Sequence, residues 1–403
     1  MPRFEPFPGI GYDPAQVRLD DVVAPPYDII GPDERARLAA RSPYNIVHLD
    51  LPLEDDGLDR YQAARCLLDQ WLADGVLAID RDPAFYVYKM GFRDHAGVAR
   101  QTVGVIGALE LVTPGEGGIL PHERTMSRPK GDRLNLLRAC RANLSPIWGL
   151  SLAPGLSALC DVSGPPMARC TDDGGVHHRL WRLTPAASMA AVAETVGSAP
   201  IIIADGHHRY ETALVWQEEV RAASGGRSGS HDLVLAYVVE LATDQLQVGP
   251  IHRMISGLPD GFDAVDSLAA HIDLVPGGVA DQELDHRMAA DGGFAVVAPG
   301  GVWWGGARAP SADAEPDAAV LDGITVSWPA HTVEYTHRSA EVVSAVAKAH
   351  CDLGLVLRPA TVDQIARTAH TGRRLPPKTT FFQPKPRTGM ILRLLDDPAP
   401  RPA

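Results

Sequence analysis

Residues 200–214, PIIIADGHHRYETAL, constrain the fold of this chain more than any other stretch. Ile201 to Ala204 are apolar or small and read as a short buried strand, which Asp205-Gly206 breaks at once. The run that follows places Ala213, Trp216 and Val220 at i, i+3 and i+7, one face of a helix whose first turn carries His207, His208 and Arg209. A strand that ends in a turn and runs straight into a helix fits an α/β (or α+β) fold. It also brings free helix-terminal N–H groups, a partial positive charge and three potentially cationic side chains to one spot, a setting that suits a phosphate. Gly206 has no Cβ, so the backbone there is free to take φ > 0 or to let a ligand oxygen come close. Asp205 is the odd member. An anion beside a phosphate is unfavourable unless it binds a metal, orients a His or caps the helix.

Composition narrows the function classes. The chain has 403 residues, of which 45% are hydrophobic, enough for a substantial core in two or three domains or subdomains. Its net charge of −13 argues against bulk nucleic-acid binding but leaves room for a small anion in a local basic pocket. No apolar run reaches the ~20 residues of a membrane helix, and the opening MPRFEPFPGI has no signal-peptide pattern, so a cytoplasmic protein is expected. The five cysteines, Cys66, Cys140, Cys160, Cys170 and Cys351, are odd in number and form no Cys-x-x-Cys pair, which supports neither a disulfide framework nor a zinc knuckle.

Along the chain, residues 1–32 hold too many prolines for regular secondary structure, and Ala24-Pro25-Pro26-Tyr27-Asp28-Ile29-Ile30 reads as an extended arm or a structural turn. A short helix over 32–40, a strand over 45–51 carrying His48 and an amphipathic helix over 59–75 complete a first segment, 1–82. Strands over 84–92 and 101–111, a helix over 133–144, strands over 147–152 and 175–183, a helix over 186–197 and a strand over 233–241 make a core of 83–248. Residues 249–403 form a third segment, with a hairpin over 292–306 and helices over 339–348 and 362–367.

Two further stretches carry chemistry. His122-Glu123-Arg124 is followed by Arg128, Lys130 and Arg133 at the start of a helix, where cations oppose the helix dipole unless an anion is held there. Near the end, Pro377-Lys378-Thr379-Thr380 offers a charge and two hydroxyls on a loop that prolines keep out of a helix, and Phe381, Phe382, Met390 and Ile391 argue that this segment packs.

His122-Glu123, Asp205-Gly206-His207-His208-Arg209 and Pro377-Lys378-Thr379-Thr380 occur in the order found in free-serine kinases of the ParB and sulfiredoxin-like superfamily, which the site resembles. From Ala24-Pro25-Pro26-Tyr27-Asp28 through Ser145-Pro146 to Pro384, the chain resembles the family called domain of unknown function 1015. The resemblance implies a mixed sheet with a ParB/sulfiredoxin-like phosphate-binding core and packed N- and C-terminal segments. It implies Glu123 as general base and Asp205 as an acidic residue that activates the hydroxyl or holds Mg²⁺. Gly206, His207, His208 and Arg209, with Lys378, Thr379 and Thr380, then bind the phosphates of ADP, ATP or pyrophosphate. His122, Arg124, Lys130 and Arg133 have supporting places. The expected partners are a small-molecule substrate and a phosphoryl donor, with no nucleic acid and no membrane. Two other classes stay open: a metal-dependent phosphatase or hydrolase using His122, His207, His208 and His252, and a non-catalytic sensor of a nucleotide or phospho-metabolite.

Overall fold

A computed structural model describes residues 1–54, 57–94, 97–121, 131–278, 284, 287, 288, 292–306, 315–371 and 374–395. The fold is mixed α/β, and the described residues fall into two compact units. One takes residues 1–121, 131–246 and 384–395; the other takes 247–383.

The first unit is built on a nine-stranded mixed sheet. Its strands run in spatial order Ile119–Pro121, Ile201–Asp205, Ile147–Ser151, Leu233–Glu240, Ala99–Glu110, Phe85–Arg93, His177–Leu183 and Ala168–Thr171, with Phe4–Glu5 paired alongside Ala99–Glu110. Ile201–Asp205 is parallel to Ile119–Pro121 and antiparallel to Ile147–Ser151, which in turn is parallel to Leu233–Glu240. The remaining pairs are antiparallel. Val238 is fully buried in the Leu233–Glu240 strand, and Gly104 opposes Val239 so closely that a Cβ there would lie 2.4 Å from the Val238 carbonyl oxygen. One core joins Phe85, Val105, Ile147, Ile201 and Val238 of the sheet to Val192 and Val196 of the helix Ala186–Gly197 and to Tyr210 and Ala213 of the helix His207–Ser224. A second gathers Ile10, Val22, Ile46, Leu68, Trp71, Leu136 and Leu392, so that the first eighty residues and the last described ones share a core.

The second unit holds a six-stranded antiparallel sheet in the order Leu274–Gly278, Gly301–Gly305, Phe294–Ala298, Leu353–Val356, His252–Ser256 and Thr332–Thr336. The helices Ala264–Ala269 and Asp317–Thr325 contribute to one core and Ser339–Ala347 to the other.

Several local expectations need correction. Residues 45–51 are not a strand: Val47–Asp50 is a helical turn, because the buried Asn45 side chain accepts the Val47 amide at 3.0 Å and so offers the backbone a local alternative to a ladder. The helix expected to reach residue 144 is Gly131–Cys140. Arg141 takes φ 47°, and Ala142–Asn143 leaves to pair with Arg393–Leu394. The prolines of residues 1–32 bracket regular structure without preventing it, since Phe4–Glu5 and Ile10–Tyr12 are strands and Leu19–Val22 is a helix. Within His207–Ser224 the fully buried residues are Tyr210, Thr212, Ala213 and Gln217, while Trp216 and Val220 are half-buried.

Candidate functional site

The junction after Ile201–Asp205 takes the form its sequence dictates. Gly206 adopts φ 85°, a left-handed conformation that costs other residues about 1–2 kcal/mol, and the eighteen-residue helix starts at His207. Between Ile203 and Asp205 the pairing with Ile147–Ser151 shifts register, so Asp205 sits opposite Trp148. A shift of this kind re-aims the side chain at the strand end.

Asp205 does not cap the helix. Its Oδ2 accepts from Arg209 Nη2 at 2.9 Å, and its Oδ1 accepts from Lys385 Nζ. Arg209 Nη1 also donates to Ser145 Oγ at 3.2 Å and to the Pro146 carbonyl. The three charged side chains are nearly sealed, with exposures of 15% for Asp205, 11% for Arg209 and 13% for Lys385. Burial by itself would raise the Asp205 pKa, but Lys385 and then Arg209 outweigh it and hold the carboxyl at about 2. Asp205 is therefore a fixed anion that positions two cations beside a helix N-terminus. With both oxygens engaged by cations, it does not fit the role of a waiting Mg²⁺ ligand. Among the described residues no group of three or more His, Cys, Asp or Glu side chains is arranged to hold a metal.

A small, open cleft lies next to Arg209, lined in part by Tyr27, Asp50, Arg133, Leu137, Ser145 and Thr212. Arg133, from the first turn of Gly131–Cys140, donates to the Asp50 carbonyl at 2.7 Å and to Asp50 Oδ1 at 3.1 Å. It also bonds Asp132 and lies 4.4 Å over the Tyr27 ring. Burial raises the pKa of Asp50, and the neighbouring Arg133 and Arg209 only partly offset that rise. Burial likewise raises the pKa of Tyr27.

The expected site residues thus divide. Asp205, Gly206, His207, His208 and Arg209 are adjacent at one strand end, and Arg133 lines the same cleft as Arg209. Lys378, Thr379 and Thr380 belong to the second unit. There Lys378 is exposed with φ 58°, and the Thr379 hydroxyl donates to the Pro376 carbonyl at 2.8 Å, closing its own turn. His122, Glu123, Arg124 and Lys130 lie outside the described residues. His252 is buried in the second unit, where Nδ1 accepts the Leu357 amide at 3.1 Å.

Sequence reasoning passed over Lys385, Tyr27 and Asp50. The first two stand inside stretches it singled out, and the cation needed to balance Asp205 was a usable signal. Asp50 gave none.

The family described as Protein of unknown function (DUF1015) matches residues 4–327. The chain belongs to the DUF1015 family. Among solved structures, this DUF1015 protein is similar to a conserved hypothetical protein from Pyrococcus furiosus, with 13% identity, 72% of this chain and 93% of that chain covered, and a TM-score of 0.38. It is also similar to a free serine kinase in complex with AMP, with 14% identity, 69% and 86% covered, and a TM-score of 0.36. A third likeness is to SbnI with a C-terminal truncation from Staphylococcus aureus, at 11% identity, 70% and 85% covered, and a TM-score of 0.39. At these scores the likenesses give no residue of this DUF1015 chain a role. No curated protein matches it. No helix among its described residues is long and apolar enough to cross a membrane.

Proposed function

We propose that this protein is a small-molecule phosphotransferase, with free L-serine or a similar hydroxyl metabolite as acceptor and a nucleotide or pyrophosphate as donor. The observation that carries the reading is the buried Arg209–Asp205–Lys385 trio at the N-terminus of His207–Ser224. Two cations held rigidly by one carboxylate, at a helix N-terminus, are a preorganised receptor for the charge that builds on a transferring phosphoryl group. Arg209 presents a planar donor fork and Lys385 a point charge, a complementary pair for a phosphate. Gly206 lets a donor oxygen approach the backbone. The adjoining cleft, which Arg209 also lines, seats the acceptor.

The order of the three motifs supports the same reading. Through their likeness to free-serine kinases, Glu123 is the general base for the acceptor hydroxyl, and Lys378, Thr379 and Thr380 bind donor phosphate. A base is required because a hydroxyl is a poor nucleophile. Mg²⁺ is the usual companion of nucleotide phosphates and is supplied with them, held by the donor and water with no step assigned to Asp205 as its ligand.

The test is to incubate the protein with Mg²⁺, L-serine and, separately, ADP, ATP and pyrophosphate, following phosphoserine by mass spectrometry. Phosphoserine from one donor, lost in Asp205→Asn, Lys385→Met and Glu123→Ala, is the expected result. No phosphoserine with any donor, while a donor still binds in the wild type, would replace the transferase with the sensor reading. Phosphate released from added phosphoserine would replace it with the hydrolase.

A further inference from the structure

Asp50 is the group in the cleft whose bonding is left incomplete. Its side chain is 5% exposed, and Arg133 covers Oδ1. Its Oδ2 is sealed from bulk water with no hydrogen-bond partner among the described residues. Arg133 cannot neutralise it fully, because the same guanidinium also bonds Asp132. Buried carboxylate oxygens are ordinarily satisfied, and one that is not marks a place where a donor belongs. The same cleft has apolar residues in its lining, Leu136, Leu137 and Val234, which strengthen the effect of a charge placed there. Arg209, lining the same cleft, supplies the opposite sign.

We infer that Asp50 is the specificity-determining residue that receives a primary ammonium group, so that the cleft selects a small zwitterion whose anionic end faces Arg209. The inference rests on the proposal that the cleft seats the acceptor, and it narrows that acceptor from hydroxyl compounds in general to amino acids. An ammonium answers both deficits of Asp50 together: it donates to Oδ2 once the carboxyl turns that sealed oxygen toward the cleft, and it stabilises the ionised carboxylate that burial otherwise disfavours. A neutral hydroxyl in the same place answers only the first.

The experiment uses the full chain without any phosphoryl donor. Binding of L-serine and of L-glycerate, the same skeleton and configuration with a hydroxyl in place of the ammonium, is measured by calorimetry on the wild type and on Asp50→Asn. The amide of Asp50→Asn keeps an oxygen for Arg133 but presents a donor where Oδ2 stood. The expected result is a preference of about tenfold or more for serine in the wild type, the scale of one charge-assisted hydrogen bond. In Asp50→Asn that preference vanishes and glycerate binding is unchanged. Equal binding of the two compounds by the wild type, binding of neither, or a preference that survives in Asp50→Asn overturns the inference. If Asp50→Asn fails to fold, the wild-type pair decides. Phosphoserine production by a protein that fails this comparison keeps the phosphotransferase and removes Asp50 from it. Serine held through Asp50 without phosphoserine formation does the reverse.

Discussion

Replacing Lys385 by methionine removes one of the two cations on Asp205 and keeps most of the side chain's bulk. Asp205 is then a buried carboxylate with Arg209 as its remaining ion-pair partner and His207 nearby. Removing one partner of a buried pair costs about 3–5 kcal/mol when the other charge is left bare. Here Arg209 still accounts for one oxygen at 2.9 Å, so the loss expected at neutral pH is about 1–3 kcal/mol. The pH dependence gives a second reading of the same contact. Asp205 ionises at about 2 in the folded protein, below the ordinary carboxylate value near 4, so its contribution is present above pH ~4 and disappears as the pH falls toward 2. A depression of that size corresponds to stability on the order of 2 kcal/mol. Without Lys385 the balance tips toward burial, the carboxyl takes up its proton at higher pH, and the acid limb of the stability curve moves up. Scanning calorimetry of both proteins across the acidic range reads this directly, at about 2–4 °C of Tm for each kcal/mol in a body of this size. A Lys385→Met protein with the wild-type Tm and an unmoved acid limb would refute the claim that the trio is an electrostatic unit.

Gly206→Ala must place a Cβ at φ 85° and 3.0 Å from Arg209 Nε, so it should cost about 1–2 kcal/mol and weaken pyrophosphate binding, read by thermal melt and calorimetry. Tyr27→Ala should lose the contact under Arg133, about 0.5–1 kcal/mol, whereas Tyr27→Phe keeps the ring and should melt as the wild type does. Gly104→Ala drives a Cβ to 2.4 Å from the Val238 carbonyl oxygen inside the sheet, and chemical denaturation should show a loss of about 1–3 kcal/mol.

The strand-turn-helix at 200–214 was legible because each of its residues carries its own reason: an apolar run, a glycine at a left-handed position, then helical spacing. The family and the mixed α/β class were legible from separated motifs. The partner of Asp205 was not, because the choice between Lys378 and Lys385, seven positions apart in one basic proline-rich run, depends on how the chain enters the fold. Asp50 was hidden differently. Residues 45–51 alternate like a strand, and only the tertiary setting of Asn45, whose amide donates to the Asp21 carbonyl at 2.8 Å, turns them into a helical turn that delivers Asp50 to the cleft.

What puts Lys385 on Asp205 is a strap of 384–395 tied down at successive points. Arg387 bonds Asp172 at 2.9 Å, and its amide donates to the Tyr88 hydroxyl at 3.2 Å. Tyr88 in turn meets Nδ1 of the fully buried His178, and His178 Nε2 lies 3.3 Å from Asp172. Thr388 exchanges backbone hydrogen bonds with Ala24, Leu392 with Ile10, and Arg393–Leu394 pairs with Ala142–Asn143. The ties at Ala24 and at Asn143 bring the strap to the segments that supply Tyr27 and Ser145. One stretch of about a dozen residues therefore sets the cation on Asp205 and braces the two segments that frame the cleft. It does so through contacts between segments far apart in sequence, 180 positions in the case of Lys385 and Asp205. Damage to Arg387 should consequently act on the Asp205 carboxyl without touching it, by loosening the strap two residues from Lys385. The same acid-limb measurement that reads Lys385→Met would detect it as a smaller shift in the same direction.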